Sequence, residues 1–181
     1  MTSPDASGPG DALLRFYRLE GPDARGRTLP EIWAWDAARL EGVHDYIQWL
    51  FPLAEPSAFN PQAPILTEET IAVFRADLEL RQRLLQSLVL MLGFYGLTLS
   101  TEPGSAPRIE PAADFAAKRR GWLRAGDHNQ LRLTRILASL RLLGLGDHSQ
   151  ALFACLAAIA RDHPHDVSAA TLDYWRRGAA G

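Results

Sequence analysis

Residues 67–95 read TEETIAVFRADLELRQRLLQSLVLMLGFY. Thr67 can cap a helix through its hydroxyl, and the two glutamates after it would lie at the positive end of the helix dipole. Apolar residues then recur at spacings of three, four and seven, as on one helix face: Ile71, Phe74, Leu78, Leu85, Leu88, Leu92 and Tyr95. The segment beyond Leu84 is apolar on most sides, as in a helix covered by several neighbours. The stretch therefore predicts a buried central helix over about residues 68–95.

Cap residues and apolar spacing predict further helices on both sides of this segment. They cover about residues 12–20, 30–42, 44–51, 114–122, 127–143, 147–162 and 168–177, and Asp127 and Ser168 are the predicted caps of two of them. Two irregular connections are predicted between them, and no run of residues alternates between apolar and polar as a half-buried strand does. The sequence therefore predicts an all-α protein, a single compact domain of about six to eight helices over residues 11–177. Residues 1–10, rich in Pro, Gly and Ser, are expected to be disordered.

The composition narrows the class of protein. The chain has 181 residues, a formal net charge of −2 and one cysteine, so it has no global attraction for nucleic acid and no internal disulfide. No apolar stretch approaches the roughly 20 residues of a membrane span, and the first residues lack the pattern of a signal peptide. We expect a cytoplasmic protein. Abundant Ala, Leu and Arg with a single lysine suggest a GC-rich bacterial genome.

The first candidate site is the stretch HDYIQWLFPL at residues 44–53. Its apolar residues Ile47, Leu50 and Phe51 should belong to the core. Its other side chains are either a helix start with buried aromatic rings, or the lining of a polar ligand pocket. The pocket hypothesis names four ligand-binding residues: His44, Asp45, Gln48 and Trp49. A metal site is not predicted, because the further His and Asp ligands that it would need are not visible in the sequence.

The second candidate site is the basic segment of residues 115–141, which carries seven basic residues against one acidic residue, Asp127. Spacings of three and four put Asn129, Arg132 and Arg135 on one helix face. These arginines could pair with carboxylates such as Asp45 and Glu41, and we expect the first site to face them. The segment could instead bind an anionic ligand near a helix N-terminus. The ligand-binding residues on this hypothesis are Arg120, Arg124, His128, Asn129, Arg132 and Arg135.

No motif of a known catalytic class is present: the sequence lacks a Gly-rich phosphate loop, HExxH, CxxC and GxSxG. No catalytic residue, metal or cofactor is therefore predicted. A hydrolase that uses His44, Asp45 and His128 is a distant alternative.

Four stretches carry a resemblance to a known family: LEGVHDYIQWLFPL (40–53), FNPQAPILTEETIAVFRAD (59–77), SLVLMLGFYGLTL (87–99) and HNQLRLTRILASLRLLGL (128–145). Together they resemble the conserved region of the opioid growth factor receptor family. The resemblance implies an all-helical domain. It also implies a relation to animal proteins described as nuclear receptors for an enkephalin-type peptide that restrain growth. It supplies no catalytic residues.

These observations favour a non-enzymatic binding or interaction domain of unknown ligand, with a peptide and an anion as the two candidate classes of ligand. The alternative is a protein that binds nucleic acid or phosphate through residues 115–141.

Overall fold

The computed structural model describes residues 9–57, 60–102 and 104–180. In this part of the chain there are ten α-helices, one short 3-10 turn at Arg119–Gly121 and two β-strands. The helices are α1 Pro9–Tyr17, α2 Leu29–Trp33, α3 Ala37–Gly42, α4 Ile47–Leu50, α5 Glu68–Ala76, α6 Leu78–Tyr95, α7 Phe115–Lys118, α8 His128–Leu142, α9 Gly146–Asp162 and α10 Ala169–Ala179. The strands are β1 Leu97–Ser100 and β2 Arg108–Pro111. The protein is mostly helical, as predicted, but it is not all-α.

The chain divides between Arg83 and Leu84 into two compact units. Unit 1 contains α1–α5 and the first residues of α6, and unit 2 contains the remainder of α6 and every later element. A single domain over residues 11–177 stays a prediction. The expected disorder of residues 1–10 lies largely outside the described residues, except that Pro9 and Gly10 begin α1.

The predicted central helix is two helices, α5 and α6, which meet at Asp77. Thr67 caps α5 as predicted, because its hydroxyl accepts a hydrogen bond from the Thr70 amide at 3.1 Å. Asp77 has an extended backbone (φ −93°, ψ 112°), and its carboxylate accepts from the amides of Glu79 and Leu80 at 2.9 and 3.2 Å. An aspartate that satisfies these amides starts a new helix inside an apolar run. The prediction of one continuous helix over 68–95 was therefore wrong.

The break at Asp77 also changes which residues of α6 are buried. Leu78, predicted to lie on the buried face, is 61% exposed. The buried positions now follow a helical period of their own: Leu80, Leu84, Leu88, Met91 and Tyr95. Of the residues predicted on that face, Phe74, Leu88, Leu92 and Tyr95 are buried, whereas Ile71 and Leu85 are half-buried.

A second aspartate divides the helix predicted over residues 30–42. The Asp36 carboxylate accepts a hydrogen bond from the Arg39 amide at 2.8 Å and begins α3, while α2 ends at Trp33. Together with the break at Asp77, this explains why the structure has more helices than the six to eight predicted. By contrast, Asp127 and Ser168 cap α8 and α10 where the sequence predicted them.

The connection predicted to be irregular contains an antiparallel hairpin, in which Leu97 pairs with Pro111 and Ser100 pairs with Arg108. Gly96 enters it with φ +75°, and a Cβ added there would come within 2.9 Å of the Phe115 Cα. Each strand has only four residues, so the alternating pattern was too short to be detected.

The core of unit 1 is aromatic. Phe16 packs edge-on against Trp49, and Tyr17 packs against Phe74, with ring centroids 5.3 and 4.9 Å apart. The Tyr17 hydroxyl donates to the Leu50 carbonyl. The predicted burial of Ile47, Leu50 and Phe51 in this core is confirmed.

The core of unit 2 forms where α8, α9 and α10 pack together. The Ser149 hydroxyl of α9 donates to the Leu137 carbonyl of α8 at 2.8 Å. The indole N–H of Trp175 in α10 donates to the Gln130 carbonyl at 2.9 Å. Gly178 allows a close helix contact, because a Cβ there would lie 3.1 Å from the Thr134 carbonyl oxygen.

Candidate functional site

The HDYIQW motif does not form the long helix that the sequence suggested. His44 and Asp45 precede α4, where His44 is exposed and Asp45 is half-buried. Gln48 and Trp49 lie within the four residues of α4, and both are buried. Of the four predicted ligand-binding residues, the two at the start of the motif are therefore the accessible ones.

Asp45 is held by two arginines from the loop before α2. Its carboxylate pairs with Arg25 Nε at 3.1 Å and with Arg27 Nη1 at 2.8 Å. Arg27 Nε also pairs with Asp23 at 2.7 Å, and the Asp23 carboxylate accepts from the amides of Arg25 and Arg27. We call these four residues the loop–motif ion-pair cluster. It fixes the loop against the beginning of the motif.

This pairing determines the charge of Asp45. Partial burial of the carboxyl opposes ionisation, but the hydrogen bond and positive charge of Arg27, with those of Arg25, outweigh it and lower the pKa of Asp45. A carboxylate with a lowered pKa is a poor general base near neutral pH. The geometry therefore weighs against the hydrolase alternative.

Two polar atoms of this region are buried and have no hydrogen-bond partner among the described residues. They are Arg27 Nη2, a donor in the ion-pair cluster, and Gln48 Oε1, an acceptor in α4. A buried polar atom without a partner costs free energy, commonly about 1–3 kcal/mol. Such atoms are typical of places where a water molecule or a ligand group completes the bonding.

An open cleft of about 420 Å³ lies beside the motif in unit 1. Its walls are mostly apolar and include three prolines, and Asp23 is the one ionisable residue among its described lining residues. The lining is formed by Ala12, Pro22, Asp23, Ala24, Trp49, Pro61, Gln62, Ala63, Pro64 and Ile65. Because the Asp23 carboxylate is fully buried and bonded to Arg27, it offers no free charge to the cleft. The cleft therefore suits an uncharged, largely apolar group.

In unit 2, the start of α8 is already occupied by an acidic side chain. Asp127 accepts from the Asn129 amide at 3.0 Å and pairs with Arg124 Nη2 at 3.1 Å. His128 Nδ1 lies 3.6 Å from the same carboxylate. A carboxylate at the helix N-terminus uses the amides that an anionic ligand would need. An anionic ligand would therefore find fewer free backbone amides at this position than the sequence suggested.

Three predicted binding residues of α8 are buried to different degrees. Asn129 is fully buried and Arg132 is only 6% exposed, and Arg132 Nη1 donates to Asn129 Oδ1 at 3.2 Å. Arg135 is half-buried, and burial lowers the pKa of its guanidinium. These residues therefore face the interior more than the solvent.

The exposed positive charge of the basic segment lies earlier, around residues 119–124. Lys118 pairs with Asp114 at 2.7 Å and also donates to the Gly93 carbonyl. Arg120 is exposed, and the described residues provide no ion pair for it or for Arg119. Arg124 is 69% exposed in spite of its pairing with Asp127. Arg120 and Arg124 are thus the two predicted binding residues with accessible charge.

The residues predicted as one shared site belong to different units: His44, Asp45, Gln48 and Trp49 to unit 1, and the six others to unit 2. The expectation that the two motifs face each other stays a prediction. The partners that the structure gives Asp45 are Arg25 and Arg27, in the stretch PDARGR (22–27), for which the sequence predicted neither a helix nor a site residue. The i,i+4 spacing of Asp23 and Arg27 was the available signal. The sequence contained no signal for Gln130, whose buried side-chain amide donates to the carbonyls of Arg124 and Asp166.

Within the described residues, no group of three or more His, Cys, Asp or Glu side chains is arranged to hold a metal ion. None of the described helices has both the length and the apolar character needed to cross a membrane.

Comparison with known proteins gives a consistent result. A family model described as the opioid growth factor receptor (OGFr) conserved region matches residues 14–178. The chain is 40% identical over 175 residues to the human opioid growth factor receptor, covering 90% of this chain and 24% of the human protein. It is 43% identical over 142 residues to the rat receptor, covering 76% of this chain and 24% of the rat protein.

It is also 39% identical over 145 residues to opioid growth factor receptor-like protein 1 of Xenopus tropicalis, covering 77% of this chain and 27% of that protein. The chain thus spans about a quarter of the length of these relatives. No solved structure matches it. The family model and the relatives cover both units, and the chain belongs to the opioid growth factor receptor conserved-region family.

Proposed function

We propose that this chain is a non-enzymatic binding domain that takes a short peptide in the cleft beside Trp49. The observation that carries the proposal is the cleft itself, about 420 Å³ of open space against the HDYIQW motif. This volume lies in the range of ligand clefts and would hold a few side chains. The names of the relatives describe receptors of a growth factor, which supports a peptide as the ligand.

The walls of the cleft favour a preformed site. Pro22, Pro61 and Pro64 restrict the backbone on its two sides, and Trp49 is fixed by its edge-on contact with Phe16. The loop–motif ion-pair cluster holds the loop that carries Pro22 and Ala24. A rigid cleft loses little conformational entropy when a ligand binds, so more of the contact free energy appears as affinity.

The wall chemistry favours an aromatic or aliphatic side chain of the peptide. The buried Asp23 carboxylate is used within the protein, so charge recognition has to come from the rim, where Arg25 is 67% exposed. We infer that apolar contact with the prolines and with the small exposed part of Trp49, 5% of its surface, supplies most of the affinity, and that Arg25 contributes little.

The test is isothermal titration with an enkephalin-type pentapeptide and with a pentapeptide of the same composition in scrambled order. Ala24→Trp fills the cleft, and Ala38→Trp, at another exposed alanine that lies in α3 outside the cleft, is the matched control. We expect the pentapeptide to bind, and Ala24→Trp to weaken binding at least about tenfold while Ala38→Trp does not. Equal binding of the scrambled peptide, or equal binding by the two variants, would contradict the proposal.

The second candidate function is binding of an anionic ligand, phosphate or nucleic acid, at residues 119–124. The observation that favours it is the exposed Arg120, for which the described residues provide no ion pair, close in sequence to the exposed Arg124. Guanidinium groups suit phosphate oxygens, and such binding weakens steeply with salt. The carboxylate of Asp127 beside Arg124 opposes it.

A gel shift with random-sequence duplex DNA and single-stranded RNA, at low and high salt, tests this second function. The double variant Arg120→Ala/Arg124→Ala should abolish any shift. Arg176→Ala/Arg177→Ala removes two exposed charges from α10 and should leave the shift unchanged. If nothing binds at low salt, or if both double variants behave alike, the basic segment is a solvated surface.

A further inference from the structure

A second open cleft, of about 480 Å³, lies in unit 2 between β2 and α9, and we call it the β2–α9 groove. One wall is formed by the five consecutive residues 107–111. The other wall follows three turns of α9 and consists of Ala151, Ala154, Cys155, Ala158, Ile159 and Asp162. The side chains of a strand alternate between its two faces, so a wall of five consecutive residues indicates the edge of β2 rather than one face.

The strand pairing shows which backbone groups that edge presents. The Ala112 amide donates to the Gly96 carbonyl at 2.8 Å, and Glu110 lies opposite Thr98. In this antiparallel register Arg108 and Glu110 exchange hydrogen bonds with β1, so the N–H and C=O of Ile109 point away from it. The described residues provide no partner for the Ile109 N–H, although Ile109 is 94% buried. The edge thus keeps one unpaired donor beside a groove.

Prolines limit how this edge can pair. Pro107 precedes β2 and Pro111 ends it, and neither has an N–H, so the outer edge offers the single Ile109 donor and the carbonyl oxygens of residues 107, 109 and 111. Such an edge cannot continue a long sheet. It can pair with one residue of an extended chain. Because the edge has more carbonyl acceptors than N–H donors, it favours a partner with many hydrogen-bond donors.

Apart from Asp162, the opposite wall is apolar, and most of its side chains are small. Ala151, Ala154 and Ala158 leave room for a side chain, and the Cys155 thiol lies between them. Burial, with the nearby charge of Glu110, raises the pKa of Cys155 to about 11, so the thiol stays protonated and acts as an apolar surface. This wall suits small or β-branched apolar side chains.

The charge of the groove lies at the end of α9. Arg108 and Glu110 pair with each other and cancel. Asp162 lines the groove at the C-terminal end of α9, where the helix dipole is also negative, and the described residues provide no ion pair for it. The neighbouring Arg161 is not part of the lining. The groove therefore carries a net negative charge at this end.

We propose that the β2–α9 groove binds an extended, basic peptide segment of a partner protein. One residue of the segment pairs through its main chain with Ile109, its small apolar side chains lie on the alanines of α9, and an Arg or Lys side chain reaches Asp162. This mode is a short form of strand addition, in which main-chain bonds give affinity and a side-chain contact gives selectivity. The proposal does not depend on the cleft beside Trp49.

The probe is the capped pentapeptide acetyl-AVRVA-amide, which is titrated into the isotopically labelled full chain. Binding is followed by the NMR chemical shifts of the protein's backbone amides. The counterpart peptide acetyl-AVEVA-amide reverses the charge. We expect the Arg peptide to shift the Ile109 amide and the amides along the α9 wall, and the Glu peptide to bind more weakly. A bond to an unpaired N–H should give the largest shift at Ile109 itself.

Three variants test whether the peptide binds in the β2–α9 groove. Ala154→Trp fills the wall and should abolish the shifts. Asp162→Asn removes one exposed charge and should weaken binding of the Arg peptide about three- to fivefold, as expected for a solvated ion pair. Asp147→Asn, at the other end of α9 and outside the groove, is the matched control and should have no effect.

Absence of shifts at Ile109 at millimolar peptide would overturn the proposal. So would equal binding of the two peptides, or an Asp162→Asn protein that binds as well as the Asp147→Asn protein. Shifts of the groove residues that grow with protein concentration in the absence of peptide would mean that a second copy of the chain occupies the groove instead. Because both aspartates are exposed, these two variants keep the test valid even if Ala154→Trp does not fold.

Discussion

The HDYIQW motif of unit 1 and the stretch DHNQ (127–130) at the start of α8 in unit 2 look alike in sequence, since each combines a histidine and an aspartate with at least one amide side chain. An aspartate of the first and a glutamine of the second behave in opposite ways. Asp45 stays near the surface, where two arginines bind it. In α8, Gln130 is buried and acts as a structural link. A cluster of polar residues can thus either border a cleft or hold helices together, and burial distinguishes the two roles.

Gln130 connects four parts of unit 2. Its side-chain amide donates to the carbonyls of Arg124 and Asp166, each at 2.8 Å, and its side-chain oxygen accepts from Thr171. Its backbone carbonyl accepts from Trp175. Such a residue contributes to stability whether or not unit 2 binds a ligand.

The largest effect is expected for Gln130→Leu. It should lower the free energy of unfolding by about 2 kcal/mol, because two carbonyls and a hydroxyl each lose one hydrogen bond. Urea denaturation followed by circular dichroism measures this. The neighbouring Leu131→Gln is the reversed control, since Leu131 is 59% exposed and its replacement should change stability by less than about 0.5 kcal/mol. Equal effects would erase the contrast between the two regions.

Asp45→Ala should have an intermediate effect, a loss of about 1–2 kcal/mol. It leaves the largely buried Arg27 without one of its two carboxylate partners. Glu20→Ala, an exposed acidic residue in the same unit, is the control and should be nearly neutral. If Asp45→Ala leaves the free energy of unfolding unchanged, the ion-pair cluster does not fix the loop. The argument for a preformed cleft would then fail.

A smaller effect is expected from pH. The pKa of Asp45 is lower in the folded protein than in the unfolded chain, where it is about 3.9. Its contribution is therefore complete above about pH 4 and disappears as the pH falls through the folded-state pKa. The stability difference between the parent and Asp45→Asn should be constant from about pH 5 to 7 and should shrink below about pH 4. A stability difference that grows as the pH falls would contradict a lowered pKa of Asp45 in the folded protein.

The smallest effects are expected at the exposed arginines, one from each region. Arg25 and Arg124 are 67% and 69% exposed, and each pairs with one carboxylate. Exposed ion pairs contribute about 0–1 kcal/mol, so Arg25→Ala and Arg124→Ala should each change the unfolding free energy by less than about 0.5 kcal/mol. A large loss for only one of them, measured by the same denaturation, would show that the two regions differ at their surfaces as well.

Sequence reasoning predicted the helical class, the caps at Thr67, Asp127 and Ser168, and the burial of Ile47, Leu50 and Phe51. These follow from local chemistry, because a cap needs only an oxygen near the first amides and a core face needs only apolar spacing. The breaks at Asp36 and Asp77 were missed for a related reason. In the sequence, an aspartate inside an apolar run cannot be told apart from a solvated residue on a helix surface. In the structure, the carboxylates of Asp36 and Asp77 cap the next helix.

The family resemblance and most helix positions follow from the amino-acid sequence, since they depend on residues close together along the chain. The folded chain was needed to show that Arg25 and Arg27 bind Asp45, that Gln130 links α8 to α10, and that residues 107–111 and α9 enclose a groove. These pairs are separated by 18 to more than 40 positions. No local periodicity encodes such contacts, because they depend on how the packed helices fix side chains in space.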